Sequence, residues 1–124
     1  MVAFFILIIG LMSGNAHAAT RTVCSSGCGY TTIQSAYNAA SGSGDVVDVT
    51  DSRTYTEGFN VQKNITIKAS ASTPATWKGK GSRDDVFKVR SGKTVVVEGF
   101  TFDPVNNQTI QLEGSSTLTL NSII

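Results

Sequence analysis

The chain has 124 residues, 40% of them hydrophobic and 15% charged, with 12 Gly and 2 Pro; this excludes a disordered, collagen-like or acidic-tail protein and sets one domain as the ceiling. Ten Lys and Arg against nine Asp and Glu leave a formal charge of +1, which is no electrostatic footprint for nucleic acid or an anionic membrane surface. No nucleic-acid partner is expected.

Met1–Met12 reads MVAFFILIIGLM, an uncharged apolar run of signal-peptide length and too short to cross a hydrocarbon layer of ~30 Å as a helix. Ala16-His17-Ala18 then supplies the small-x-small pattern that a signal peptidase accepts. Residues 1–18 therefore read as a secretory signal and 19–124 as the exported domain, extracellular, on the cell surface or periplasmic. Membrane contact is then expected through the signal segment alone. No Lys or Arg precedes the apolar run, so an uncleaved anchor is the competing reading. Cleavage removes His17, the only histidine, and with it the imidazole of a Ser-His or Cys-His pair or of a zinc site.

Cys24 and Cys28 lie in VCSSGCG, and in an oxidising compartment a pair four apart with Gly27 inside can close a small ring. A local disulfide is the first expectation. A metal site would need more ligands than these two, and redox catalysis favours a two-residue spacing beside a helix N-terminus.

Thr31–Ala40 is the only convincing helix, with Ile33, Ala36, Tyr37 and Ala40 on one face and Ser41-Gly42-Ser43-Gly44 as its stop. From Asp45 onward short alternating runs of Val, Ile, Phe and Thr are divided by Gly, Asn, Ser and Lys, the pattern of strands and turns. These runs repeat. Phe87-Lys88-Val89, Val95-Val96-Val97 and Phe100 recur 23 residues later as Ile110-Gln111-Leu112, Leu118-Thr119-Leu120 and Ile123. An earlier copy is Phe59-Asn60-Val61 with Ile65-Thr66-Ile67.

A repeat of this size, with several strands and no helix, buries its apolar face only by coiling so that each turn stacks on the next. The pattern predicts a β-solenoid with inward columns Phe59/Phe87/Ile110, Val61/Val89/Leu112, Ile65/Val95/Leu118 and Ile67/Val97/Leu120. The alternative, an antiparallel sandwich, would call for Asn-Gly or Asp-Gly hairpin turns, which are absent.

Gly29–Ala36 (GYTTIQSA), Gly44–Val49, Thr54-Tyr55-Thr56-Glu57 and Lys63-Asn64-Ile65-Thr66-Ile67 together resemble the opening of right-handed parallel β-helix proteins of the pectin-lyase-like superfamily. The resemblance covers the chain from about Thr22 to its end. It implies an all-β, right-handed parallel β-helix whose single N-terminal helix caps the solenoid. One departure stands out: Arg53-Thr54 precedes Tyr55 where the pattern has Gly. The superfamily holds pectate and pectin lyases, pectin methylesterases and polygalacturonases, and also phage tailspikes and many surface proteins with no known activity, so it implies a polysaccharide substrate class only. The working residues of its enzymes sit on later, central rungs, so no catalytic residue is carried over.

The candidate binding residues are Asp48, Lys78 and Asp103, expected to project from one sheet if Val46–Val49, Thr76–Lys78 and Phe100–Asp103 stack, with Lys80 and Arg83 in the basic loop beside Trp77. Two carboxylates with a cation can hold an acidic sugar or Ca²⁺, while a solvated charge ladder accounts for the same residues without function. No cofactor is required, and Ca²⁺ is the one ion these groups suggest. Trp77 fits either a sugar contact or the core. Asp45, Asp48 and Asp51 lack the Gly and the terminal Glu of a calcium loop and read as turn and edge residues. Asn64-Ile65-Thr66 and Asn107-Gln108-Thr109 match the glycosylation sequon, Asn107 being the better acceptor.

The sequence closes mid-repeat with Ile123-Ile124, an apolar solenoid edge expected to continue into further rungs or to be covered by a partner. Two functions follow as expectations: the N-terminal part of a secreted polysaccharide lyase or esterase without a complete active site in this stretch, or a non-catalytic surface β-helix that binds glycan or spaces other domains.

Overall fold

The computed structural model describes residues 18–80, 87–103 and 110–124. The order is β1 (Thr20–Val23), α1 (Ile33–Ala39), β2 (Ser43–Val49), β3 (Thr54–Thr56), β4 (Phe59–Val61), β5 (Asn64–Ala69) and β6 (Thr76–Lys78). Then come β7 (Phe87–Val89), β8 (Thr94–Glu98), β9 (Thr101–Asp103), β10 (Ile110–Leu112) and β11 (Thr117–Asn121). Three sheets result, β1-β2-β5-β8-β11, β3-β6-β9 and β4-β7-β10, so each turn of chain adds one strand to each sheet.

Every strand pairing among the described residues is parallel, which makes the fold an all-β parallel β-helix, with one short helix among the described residues, and rules out the antiparallel sandwich. The repeat in the sequence is the register of the structure. Phe59 lies beside Phe87 and Phe87 beside Ile110, and Ile65 beside Val95 and Val95 beside Leu118. All four predicted columns form, and the described strands of the first three turns alternate buried with less buried residues, as a half-buried strand must. Each fully buried Val, Ile or Phe contributes roughly 1.5–3 kcal/mol over leaving it in water.

Aromatic rings thread the interior. Tyr37 of the helix stands 5.0 Å from Phe59, Phe59 is 5.6 Å from Trp77, and Trp77 is 5.1 Å from Phe87 and 5.4 Å from Phe100. Trp77 is fully buried and its indole N–H donates to the Glu57 carbonyl at 3.0 Å, so of its two readings the core one holds.

The helix begins one residue inside Thr32, whose hydroxyl accepts the Ser35 amide at 3.1 Å as an N-cap. Ile33, Ala36, Tyr37 and Ala40 are its buried face, as the spacing predicts. Both of its ends are held by later segments. Glu57 takes the Ile33 and Gln34 amides, and the Lys63 ammonium donates to the Tyr37 and Ala40 carbonyls at 2.8 and 2.7 Å.

A Cys24–Cys28 disulfide closes the loop after β1. The loop is tied back by the Cys24 amide on the Tyr30 carbonyl and the Tyr30 amide on the Thr22 carbonyl. Asp51 fastens it to the next turn by accepting the Ser25 amide at 2.9 Å and the Tyr55 hydroxyl at 2.8 Å.

Asp45 corrects the sequence reading. It is not an edge residue: it alternates with Val47 and Val49 on the inward side of β2 and is 1% exposed. Its Oδ2 accepts the Arg21 guanidinium at 2.6 Å and the Ser41 amide and hydroxyl at 2.9 and 3.0 Å, and its Oδ1 accepts the Ala19 amide at 2.9 Å. Burial of the carboxylate is offset because each oxygen is paired.

At the other end, among the described residues no strand lies beyond β9, β10 and β11, and Leu112, Leu120 and Ile124 are 51%, 45% and 73% exposed. The ladder runs on past β11: the Ile124 amide donates to the Phe100 carbonyl at 3.1 Å, placing Ile123 where the 23-residue repeat puts it.

Candidate functional site

Lys78 and Asp103 are register neighbours on β6 and β9, with Nζ 3.5 Å from Oδ2 on the outer face. Both side chains are at least a third exposed, so the pair is a solvated contact of little energetic weight. Lys80 follows as an exposed residue at the entry to the basic loop. Arg83 lies outside the described residues, as do Asn107 and residues 1–17 of the signal segment.

Asp48 does not join them. The chain bends between Val49 and Thr54, so the strand beside Thr76–Lys78 is Thr54–Thr56 and not Val46–Val49. Asp48 instead belongs to the five-stranded sheet, in an outward column of Thr22, Asp48, Lys68, Glu98 and Asn121. Lys68 approaches it to 4.0 Å, and Asp48 Oδ1 is buried without a hydrogen-bond partner. Charges of alternating sign on adjacent strands make this a cross-strand ladder. A second ladder runs on the third sheet and the turns beside it, where Glu113 meets Arg90 at 3.0 Å and Lys88 at 3.7 Å.

Among the described residues four groups are shifted from their ordinary values, each within such a contact. Amide hydrogen bonds from Ala19 and Ser41 outweigh burial and, with the Arg21 charge, lower Asp45 to about 2. Asp51 is pushed up by burial but brought lower overall by the Tyr55 hydroxyl and the Ser25 amide, while burial and Asp51 raise Tyr55 to about 12. Glu113 is lowered by the Arg90 hydrogen bonds. All four shifts lead away from neutrality, so none of these groups is tuned as a general acid or base at pH 7. Among the described residues no three His, Cys, Asp or Glu side chains gather around a common point that could hold a metal ion. Among the same residues no helix is long and apolar enough to cross a membrane.

A concavity lies elsewhere, between α1 and the β4–β5 turn. It is an open cleft of about 470 Å³. Gln34 and Asn38 line it from the helix, and Asn60 and Gln62 from the strand and turn. All four are exposed. The floor is Tyr37 and Phe59, with the Tyr37 hydroxyl fixed by the Gln62 amide at 2.6 Å and the Lys63 ammonium 4.6 Å over the Tyr37 ring. Lys63 spends its donors on helix carbonyls, so the groups turned to a ligand are carboxamides, each able to donate and accept. Sequence reasoning missed this cleft because its walls come from two segments about 25 residues apart that share no motif. The only available signal was the Gln/Asn content of QSAYN and FNVQKN.

No known protein family matches the chain, and comparison with curated proteins and with solved structures also finds no match.

Proposed function

We propose that this chain is a polysaccharide-binding module of an exported parallel β-helix protein, similar in plan to the pectin-lyase-like superfamily. The observation that carries the reading is the cleft beside the cap helix. Four exposed carboxamides line it together with Tyr37 and Phe59, a donor-and-acceptor set matched to sugar hydroxyls, with room for one or two sugar rings. Lys80, exposed at the entry to the basic loop, adds a positive charge that would favour an acidic chain such as a polyuronate. No catalytic step is assigned to these residues, and whole-protein lyase or esterase chemistry would need groups that the described residues do not bring together. The exposed edges of β9, β10 and β11 are suited to a further turn of solenoid or a partner strand, since Leu112 and Leu120 stand in the inward register, half exposed, with nothing described above them.

The test is affinity electrophoresis of residues 19–124 through gels containing polygalacturonate or a neutral galactan, with and without Ca²⁺. Retarded migration that Asn60→Ala with Gln34→Ala abolishes is the expected result. Unretarded migration in every gel contradicts the reading.

A further inference from the structure

The buried corner at Asp45 is built around a backbone amide that export would convert into an amine. Ala19 follows Ala18, the last residue of the signal pattern, and its N–H is the group that Asp45 Oδ1 accepts at 2.9 Å. The Ala19 carbonyl is fixed as well, accepting the Val46 amide at 2.9 Å, so the position of this nitrogen is set by β1 and β2 rather than by what precedes it. Ala18 and Ala19 are exposed while the carboxylate they meet is 1% exposed.

We propose that Asp45 is the receptor for the α-ammonium of Ala19 created by cleavage after Ala18, and that removal of the signal thereby strengthens the seating of β1 on the solenoid. The amide already present becomes an ammonium at the same place, adding a full positive charge against Oδ1 and keeping one N–H in the existing hydrogen bond. Charge-assisted hydrogen bonds are roughly twice as strong as neutral ones, and a carboxylate screened from water gains more from a nearby cation than an exposed one does. The charged groups facing the corner are Asp45 of β2 and Arg21 of β1; Ser41, at the end of α1, brings only a hydroxyl and an amide. Arg21 opposes the new charge, but from Oδ2, while the ammonium takes Oδ1. β1 is the edge strand at this end of the five-stranded sheet, so a second cation on Asp45 acts on the strand with the fewest neighbours.

This inference rests on the export reading for where the amine arises, and the experiment separates the two. The exported protein is isolated and its first residue determined by mass spectrometry. Residues 19–124 are then prepared with a free amine and with an acetylated one, the acetyl group restoring the amide without the charge. The Ala19 methyl resonance of the free form is titrated, and urea midpoints of both forms are measured at pH 7 and pH 10.5. A raised amine pKa favours the charged form in the folded state, so its stabilisation is present below the ordinary value near 8 and is lost as pH rises through the folded one. The expected result is a titration midpoint above about 8.5 and a higher urea midpoint for the free amine at pH 7 that disappears at pH 10.5. Asp45→Asn should cancel the difference between the forms, and the titration of the unmutated chain decides the matter should that variant not fold. A midpoint at or below about 8.5, or equal urea midpoints at pH 7, overturns the pairing. An exported chain that begins elsewhere than Ala19 overturns the processing step, whatever the titration gives.

Discussion

Glu57 caps a helix that ended long before it in the chain: its Oε2 accepts the Ile33 amide at 2.9 Å across a separation of 24 residues, and its Oε1 accepts the Gln34 amide at 2.8 Å. Two of the four free amides at the start of α1 are thus satisfied by the first turn of the solenoid. The same residue's carbonyl takes the Trp77 indole, so one position ties the cap, the first turn and the second together.

Glu57→Ala is therefore expected to destabilise by about 1–2 kcal/mol, the range for losing a helix cap. Glu57→Gln keeps one acceptor and should cost less. Urea unfolding of both variants checks the order, and an unchanged midpoint for Glu57→Ala would show that the carboxylate does not hold the helix.

Trp77→Ala should remove roughly 3–5 kcal/mol, the usual cost of deleting a large aromatic from a packed interior. Four rings stand within 5.9 Å of it, from Phe59 on one turn to Phe102 on the next, and each would face the cavity. A domain of this size has ~5–15 kcal/mol in total, so the expected measurement is loss of most of the cooperative transition.

The β-helix itself was legible because strand register and sequence repeat are the same quantity in a parallel solenoid. Phe87 and Ile110 could be paired from their 23-residue spacing alone, and the structure pairs them. Asp48 could not be placed, because alternation says which side of a strand a residue faces and not which of three sheets the strand joins. The bend at Asp51–Arg53 decides that, and it depends on Asp51 accepting the Tyr55 hydroxyl, a contact with no periodic signature. Asp45 was misread for a related reason: its burial requires Ala19 and Arg21 of the first strand segment and Ser41 at the end of α1 to converge on it. The cleft carboxamides are likewise a tertiary coincidence of helix and turn.

Gly99→Ala should be far costlier than Gly92→Ala, although both glycines have positive φ, 79° and 75°. A side chain at either position adds the ~1–2 kcal/mol penalty of left-handed backbone. At Gly92 a methyl group meets nothing within 4 Å, whereas at Gly99 it would run into the Ala69 backbone carbonyl, which cannot rotate away. Thermal unfolding of the two single variants checks the contrast.

Stability should fall at both ends of the pH scale for identifiable reasons. Asp45 is lowered from 3.8 to about 2, so its contribution is present above 3.8 and is lost as pH falls toward 2. Tyr55 is raised from 10.0 to about 12, so its contribution is present below 10 and is lost as pH climbs toward 12. Asp45→Asn should flatten the acid limb of urea midpoints against pH, and Tyr55→Phe the alkaline limb. An unchanged limb in either variant would assign the pH dependence to other groups.

The central claim is that each turn of chain lies directly on the one before, in parallel register. Thr66 and Val96 are outward neighbours on β5 and β8 although 30 residues apart in sequence. Adjacent parallel strands lie about 4.8 Å apart, within the reach of a disulfide. Thr66→Cys combined with Val96→Cys should cross-link under mild oxidation while Cys24–Cys28 stays intact, and Thr66→Cys with Thr94→Cys should not. Failure of the first pair to close, or preferential closure of the second, would contradict the parallel register from which the fold, the cap and the cleft all follow.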